Sequence, residues 1–290
     1  MSVVNTNVAA SVAQAALTRN ERALGAAMEK LSTGKRINSA ADNAAGLTIS
    51  AQLTSQIRGL GAAVSNANDA ISMVNTADGA LDEITTMLQR MRELAVQAGT
   101  GTTASTDRTY LQSEFTALRT EIDRIADNTQ WNGRNILDGS AGASTGKSAV
   151  AFGIGQDGTA AQTLSTSFGN FNNTTGALSG LASKIITGTS STTASAITVA
   201  AAAIVEIDVV IGDVSSQRAT FGAVSNRLTH AVDNLTNVKT NAQAARSRIL
   251  DTDYASATSE LARTQIIQQA STAMLAQANA MPQTVLALLQ

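Results

Sequence analysis

"ISMVNTADGALDEITTMLQRMRELAVQA", residues 71–98, carries the pattern that decides the fold of this 290-residue chain. Its apolar residues recur at steps of three and four, which is the spacing of one buried helix face. The series begins upstream of this stretch, and Asp78 occupies one of its positions before Ile84 resumes it. Its members are Leu53, Ile57, Leu60, Val64, Ala67, Ile71, Val74, Leu81, Leu88, Met91, Ala95 and Ala98. Heptad spacing over this length predicts a long, coiled-coil-like helix that ends near Gly99.

Two more interior segments show helical periodicity. One is predicted to begin at Ser105 or Thr106 as the cap, with Asp107 in the first turn, and to bury Leu111, Phe115, Leu118, Ile122 and Ile125. The other begins at Phe221 and continues through Val224, Leu228, Ala231, Leu235, Val238, Ala242, Ala245 and Ile249. We interpret these interior faces as the core of a helical bundle within one chain.

Weaker heptads occupy the two ends of the chain. Ala10, Leu17, Leu24 and Leu31 stand at intervals of seven near the start, and Ile267, Met274, Met281 and Leu288 do so near the end. A buried Leu contributes roughly 1.5–3 kcal/mol, whereas ordering the backbone costs about 1–2 kcal/mol per residue. We therefore expect both ends to be unstructured in a free monomer and to order only against each other and neighbouring copies. The large members of both heptads are the predicted assembly residues.

The block "LSTGKRINSAADNAAGLTIS", residues 31–50, interrupts the helical pattern between an end segment and the first long helix. Gly34 suits the left-handed conformation that commonly follows a helix. Ser39 or Asp42 is predicted to start the next helix by accepting its free backbone N–H groups. The block is therefore interpreted as a joint between an assembly-dependent end and a stable bundle.

The middle of the chain, from about residue 139 to 205, is rich in Gly, Ser, Thr and Ala and contains only three charged residues, Lys147, Asp157 and Lys184. The runs "SAVAFGIG" and "AAQTLSTSF" suggest the strands of a small hairpin. Residues 196–214 could be helical, although β-branched side chains weaken that prediction. "NTQWNGRNILDG", residues 128–139, predicts a turn-rich exit from the second helix.

Composition excludes several classes of protein. There is no Cys, so disulfides and thiolate metal sites are impossible. The net charge of −2 gives no basic field for nucleic acid or an anionic membrane. No window resembles a cleavable secretory signal or a membrane span, so the sequence alone allows either a cytoplasmic protein or one exported without cleavage.

No catalytic or cofactor-binding motif stands out, and we expect no enzyme activity, cofactor or metal. The single His230 is predicted to be a half-buried structural residue beside the third stripe, and Trp131 to pack on the bundle. "GIGQDG" at 153–158 only imitates a phosphate loop, because it lacks the Lys-Ser/Thr ending. The Ser/Thr-rich centre could be a plain solvated surface or carry O-linked sugars.

Seven stretches together resemble bacterial flagellin of a short type, over about residues 1–140 and 215–290. They are "LSTGKRINSAADNAAGLTIS", "AISMVNTADGALDEI", "LQRMRELAVQAGTGT", "WNGRNILDG", "SQRATFGAVSNRL", "SRILDTDYA" and "LAQANAMPQTVLALL". The resemblance implies a mainly α fold, an elongated helical bundle and coiled coil of the two ends with a small β-hairpin region in the middle. It implies that 1–42 with 256–290 lines the filament channel, that 43–140 with 215–255 forms a rod-like bundle, and that 141–214 supplies a hairpin and at most a small outer domain.

The resemblance also implies the partners of a secreted, extracellular filament subunit for swimming motility. They are further copies of the chain in a helical homopolymer, a flagellar export chaperone that binds the C-terminal helices, the filament cap protein and the hook-associated junction proteins. Export would use the flagellar type III apparatus. A hook–filament junction protein and, in a different class, a cytoplasmic chemoreceptor signalling hairpin remain as alternatives; the latter would need a tight turn between equal helical arms at mid-chain.

Some flagellins are recognised by Toll-like receptor 5, and the resemblance places that surface on residues 89–98 and the neighbouring helix. The residues that match are Gln89, Arg90, Glu93, Leu94, Gln97 and Glu114. Arg90 and Leu94 are four apart, so we expect them to share a helix face. From spacing alone the charged residues would be an ordinary solvated surface. Because this face is also used between subunits, the intact filament should conceal it.

Overall fold

The computed structural model describes residues 6–139, 147–155, 162–172, 176–182, 186 and 193–287. Most of these residues are helical. The helices are α1 (Val8–Thr33), α2 (Ala44–Ala98), α3 (Ser105–Asn128), α4 (Ser179–Ala182), α5 (Thr193–Leu250) and α6 (Tyr254–Ala287). The short strands are β1 (Gln130–Trp131), β2 (Arg134–Asn135), β3 (Lys147–Gly153) and β4 (Thr163–Gly169). The predicted mainly α class with a small β-hairpin region is confirmed.

The chain forms two compact units. One comprises Met1–Ile57 with Lys239–Gln290, and the other is Arg58–Val238. We call them the terminal unit and the central unit. The helices α2 and α5 each begin in one unit and end in the other. The three regions expected from the resemblance divide the chain differently and stay a prediction.

The core of the central unit is the predicted face of α2. Leu81, Ile84, Leu88 and Met91 have no exposed surface, whereas Leu53, Val64 and Ile71 of the same face are half-buried. The predicted face of α3 contributes Phe115 and Ile122 to the same core, with Leu111, Leu118 and Ile125 half-buried against it. From α5 the core receives Phe221, Val224 and Leu228. The interpretation as bundle core is confirmed for these residues, whereas Val238 of the third stripe is 38% exposed and the later members of that stripe lie outside this core.

Residues 196–214 are part of α5, so the expected short helix and the third stripe form one helix. Ala203, Ile207, Val210 and Val214 are fully buried at steps of four and three. Their packing outweighs the weak helix preference of the β-branched residues, as tertiary context commonly does. The boundary near residue 215 that the resemblance implied is therefore not a boundary of secondary structure.

Two antiparallel hairpins follow α3. Strands β1 and β2 are joined by Asn132 and Gly133, whose φ angles of 49° and 74° suit the primed turns of tight hairpins. The expected turn-rich exit is this hairpin, and Trp131 is half-buried against the core, as predicted. Strands β3 and β4 pair from Lys147 with Gly169 to Gly153 with Thr163, which confirms the hairpin expected from the two runs. Alternate residues of β4 face the core.

The block 31–50 links the two ends of the chain within the terminal unit. Gly34 ends α1 in the left-handed conformation, with φ of 68°, as predicted. The next residues lie against the segment between α5 and α6. The backbones of Lys35 and Asp251 form an isolated antiparallel β-bridge, and the Arg36 backbone N–H donates to the Leu250 carbonyl over 2.7 Å.

The residues predicted to cap α2 and α3 are not the ones found at the cap positions. Helix α2 begins at Ala44, and Asn43 Oδ1 accepts from the Gly46 N–H over 2.8 Å. Asp42 orders the preceding loop instead, where hydrogen bonds from the backbone N–H groups of Ser39 and Asn38 lower the pKa of its carboxyl. Helix α3 follows Ala104, which has no side-chain cap. A short polar side chain marks the neighbourhood of a helix start, whereas the local hydrogen-bond geometry decides which residue caps it.

Among the described residues, no helix has the length and apolar character needed to cross a membrane. No cluster of His, Asp or Glu side chains in that part of the chain could hold a metal ion.

Candidate functional site

The two terminal helices, α1 and α6, lie side by side and antiparallel. The side-chain amide of Asn7 donates from Nδ2 to the Ala278 carbonyl over 2.8 Å. Further along, Asn20 Nδ2 donates to the Thr264 carbonyl, also over 2.8 Å. Residue numbers therefore rise along one helix while they fall along the other. The buried Asn20 fixes the register of the pair, because its amide would lose a hydrogen bond if either helix slipped.

The contact between α1 and α6, which we call the seam, consists mostly of small and polar side chains. Its least exposed positions on α6 are Ala257, Leu261, Thr264, Gln268, Ser271, Leu275 and Ala278, at steps of four and three. On α1 they are Ala10, Ala13, Leu17, Asn20, Leu24, Ala27, Lys30 and Leu31. The predicted assembly residues Leu17, Leu24 and Leu31 are thus half-buried and face the chain's own α6. The sequence heptad identified their shared face correctly.

The predicted assembly residues of α6 lie on a different face. Ile267 is 39% exposed and Met274 is 64% exposed. The side chain of Met281 and the whole of Leu288 lie outside what the structure describes. Ile267 and Met274 therefore do not belong to the seam of α6 with α1. The seam series of α6 combines Leu261 and Leu275 with Ala, Ser, Thr and Gln residues, and periodicity could have shown it had small residues been weighed equally.

Beside the seam, both helices contribute to an apolar groove of about 680 Å³, which we call the terminal groove. It is lined by Val8, Ala9, Val12, Ala13, Ala16, Ile267, Ala270, Ser271 and Met274. Val8 and Val12 are 59% and 64% exposed, and sequence analysis missed both. A contiguous apolar surface of this kind is characteristic of a binding surface. The roles of the seven predicted assembly residues stay predictions.

The predicted receptor surface is centred on Arg90 of α2. Its guanidinium donates from Nε to Glu114 Oε1 of α3 over 2.9 Å and from NH1 to Glu93 Oε2 over 3.0 Å. The hydrogen bonds that Arg90 donates to Glu93 and Glu114 raise the pKa of its guanidinium further. Gln89 and Gln97 are exposed on the same helix. The structure therefore brings five of the six predicted residues to the surface.

Leu94 is the exception. It is only 1% exposed and belongs to the core of the central unit. Arg90 and Leu94 therefore present no common accessible surface, because Leu94 is buried with Leu88 and Met91, and its role in receptor binding stays a prediction. Leu94 follows Met91 by three residues and precedes Ala98 by four, so the spacing of the α2 series already indicated that it is buried.

Ion pairs between helices explain the polar interruption of the α2 stripe. Asp78 stands at an otherwise apolar position, and its Oδ1 accepts from Arg218 Nε of α5 over 2.9 Å. The same guanidinium reaches Asp82 over 2.8 Å, and Arg92 pairs with Asp208 over 2.7 Å. Sequence reasoning had no signal for these pairs, because their members are more than 100 residues apart.

Two minor predictions also have outcomes. His230 is exposed rather than half-buried, because the buried residue of that turn is Leu228. "GIGQDG" lies only partly within the described residues, since 156–158 are outside them.

Two family models match the chain on either side of its middle. The bacterial flagellin N-terminal helical region matches residues 4–142, and the bacterial flagellin C-terminal helical region matches residues 204–289. The two matches cover most of α1–α3 and of α5–α6. The segment between them contains the β3–β4 hairpin.

Curated relatives match along the whole chain. Flagellin of Bacillus subtilis is 42% identical, and the match covers 99% of each chain. Flagellin of Halalkalibacterium halodurans is 42% identical over 99% of this chain and 100% of its own, and Flagellin A of Vibrio cholerae is 35% identical over 99% of each. These names do not support the alternatives of a junction protein or a chemoreceptor hairpin.

Solved structures agree at the level of fold. A flagellar hook-associated protein of Vibrio parahaemolyticus superposes with a TM-score of 0.60 at 13% identity, covering 72% of this chain and 100% of that one. Such low identity indicates a shared fold only. The two family models and the full-length relatives identify the chain as a member of the bacterial flagellin family, a structural subunit of the flagellar filament.

Proposed function

We propose that subunits of this filament join through the terminal groove, which receives apolar side chains of a neighbouring copy. The observation that supports this is the exposure of Val8, Val12, Ile267 and Met274 on one continuous surface of α1 and α6. A chain whose work is self-assembly has a ready occupant for such a surface. The seam holds the two helices of one chain together, and the groove joins chains.

The energetics of the terminal helices favour this division. Among the described residues, the buried apolar side chains of the α1–α6 pair are Ala27, Ala257 and Ala278, which carry little apolar area. Each Val, Ile or Met of the groove would add roughly 1.5–3 kcal/mol on full burial. Since an isolated helix pair with a seam of small residues is marginal in water, contact with further copies supplies the missing stabilisation. The ends of the chain accordingly order on assembly.

The test is growth of purified chain on filament seeds. Val12→Asp places a charge in the groove, which would be buried in the assembled filament at a cost of several kcal/mol. We expect filament growth to stop while the helical content of the central unit is unchanged. Met28→Asp is the matched control, because Met28 is an exposed apolar residue of α1 outside the groove lining. We expect this variant to extend seeds.

Normal growth of Val12→Asp would contradict the proposal. Equal loss in both variants would show that the contact does not centre on the groove. Seeds that the unchanged chain does not extend would instead point to a junction protein.

Other partners follow from membership of the family. We propose that the chain leaves the cell unfolded through the flagellar type III apparatus, that an export chaperone binds its C-terminal helices, and that a cap protein folds it at the tip of an extracellular filament. Hook-associated junction proteins join the filament to the hook. The chain's work is mechanical, and no reaction is assigned to it. The apolar side chains of Ile267 and Met274 on α6 would give the chaperone a surface to shield before assembly.

A second proposed role is recognition of the free subunit by Toll-like receptor 5. Gln89, Arg90, Glu93, Gln97 and Glu114 are available on the surface of α2 and α3. The pairing of Arg90 with carboxylates from both helices holds this charged surface in one arrangement. Leu94 would support the surface from below rather than touch the receptor.

A further inference from the structure

The methionines of the described residues fall into two groups by exposure. Met73 and Met91 are buried in the central unit, and Met87 is half-buried against its core. Met28 and Met274, both in the terminal unit, are 56% and 64% exposed. Of the two exposed residues, only Met274 lines the terminal groove. An accessible thioether therefore stands on the surface that we assign to assembly.

An exposed thioether reacts directly with peroxides. A lone pair of the Met274 sulfur attacks one peroxide oxygen, an S–O bond forms as the O–O bond breaks, and the second oxygen leaves as water after proton transfer. Sulfur is oxidised and the peroxide is reduced. The sulfoxide is a polar, chiral group in place of an apolar one, and methionine sulfoxide reductases reverse the change.

We propose that Met274 is a redox modification site that controls whether a free subunit can join the filament. This inference rests on the proposed function of the terminal groove. A sulfoxide at Met274 would have to be buried in the contact between copies without a designed hydrogen-bond partner, which is costly. Within a finished filament the same side chain is covered. Oxidation therefore acts on free chains and spares assembled ones.

The position of Met274 distinguishes it from Met28. Ile267 lies two turns before Met274 on the same face of α6, and Ala270 and Ser271 lie between them. With Val8 and Val12 on α1, these neighbours provide an apolar wall and no charged partner within the groove lining. Met28 offers a thioether of similar exposure outside this wall. The two residues thus serve as an internal comparison within one chain.

The experiment treats the full-length free chain with hydrogen peroxide, maps sulfoxides by peptide mass spectrometry and measures growth on filament seeds. We expect Met28 and Met274 to oxidise before Met73 and Met91. We also expect the critical concentration for growth to rise by about tenfold or more, since a tenfold change needs only the loss of a modest apolar contact. Treatment with methionine sulfoxide reductases should restore growth.

Two substitutions isolate the residue. Met274→Leu keeps the groove apolar and cannot form the sulfoxide, so its growth after peroxide should equal its own growth before treatment. Met274→Gln imitates the polarity of the sulfoxide and should grow as poorly as the oxidised chain without any peroxide. Met28→Leu should remain as sensitive to peroxide as the unchanged chain.

Three results would overturn the inference. They are normal growth of the chain oxidised at Met274, loss of growth by oxidised Met274→Leu, and normal growth of Met274→Gln. The Val12→Asp experiment decides the proposed groove contact separately. If Val12→Asp blocks growth and oxidation does not, the contact stands and the redox control fails.

Discussion

Leu94 and Arg90 stand one helical turn apart on α2, yet the structure gives them different environments. Leu94 is enclosed by the core, while Arg90 bonds Glu93 and Glu114 at the surface. Truncating a buried Leu to Ala typically costs about 2–5 kcal/mol. Removing a solvent-exposed ion pair costs about 0–1 kcal/mol. A substitution of Leu94 therefore reports on the stability of the central unit, and one of Arg90 reports on the function of the exposed surface.

We expect Leu94→Ala to lower the free energy of unfolding of the free chain by about 2–5 kcal/mol. Arg90→Ala should leave it nearly unchanged, because the ion pair is exposed to solvent, and should weaken Toll-like receptor 5 signalling by free subunits. Chemical denaturation and a cell reporter assay measure the two effects. Arg124→Ala is the control, since Arg124 is also an exposed Arg paired with a carboxylate, Glu121 of α3. Unchanged signalling by Arg90→Ala would show that the receptor surface lies elsewhere.

Asp127, near the end of α3, provides a prediction in pH. Partial loss of solvation raises the pKa of its carboxyl, although the residue is largely exposed, and the neighbouring charges of Asp123 and Asp138 raise this pKa further. A raised pKa in the folded state means that the ionised carboxylate opposes folding at neutral pH, and that protonation relieves this as pH falls. Asp127→Asn should therefore stabilise the chain at neutral pH, by less than about 1 kcal/mol at an exposed site. The gain should vanish in acid.

Glu121 is the matched control for Asp127 on the same helix. The hydrogen bond from Arg124 lowers the pKa of the Glu121 carboxyl. Its contribution to folding is therefore present above the unfolded pKa and is lost as pH falls through the folded one. Glu121→Gln should destabilise the chain at neutral pH and have little effect in acid. Thermal unfolding at several pH values compares both variants, and effects of the same sign would contradict the assignments.

At the scale of elements, long patterns were predictable and ends were not. The α2 series runs from Leu53 to Ala98, so one polar interruption at Asp78 could not obscure it. The cap of α2 depends on a single hydrogen bond, from the Gly46 N–H to Asn43, and α3 has no side-chain cap, although several nearby residues could have capped either helix. For α5, intrinsic preference and periodicity disagreed near Val209 and Val210, and burial decided in favour of the helix. Helix preference and periodicity could not be reconciled from the sequence alone, because the packing that decides between them involves residues far apart in the chain.

The terminal helices show a second limit of sequence patterns. Heptad spacing on α6 correctly placed Ile267 and Met274 on one face. It did not reveal whether that face meets α1 or solvent, because both outcomes require the same periodicity. The seam uses Ala257, Thr264 and Ala278 instead, and such small side chains permit close approach of two helices. Only the three-dimensional structure shows which face of α6 contacts α1.

At the scale of the whole molecule, the two units differ in what stabilises them. The central unit buries large side chains such as Phe115, Phe168 and Phe221, and the last two lie 5.1 Å apart between ring centroids. The seam of the terminal unit buries mainly small and polar ones. Folding of the free chain should therefore depend on the central unit, and the terminal helices should contribute chiefly after assembly.

Leu24→Asp tests this division, because Leu24 is half-buried in the seam and is not part of the central unit. The substitution should separate α1 from α6, since burying an unpaired carboxylate costs several kcal/mol. We expect growth on filament seeds to be abolished and the thermal transition of the free chain to be nearly unchanged. Leu228→Asp, in the core of the central unit, should abolish that transition. A large fall in thermal stability from Leu24→Asp would mean that the terminal helices already fold together in the solitary chain, and would refute order that depends on assembly.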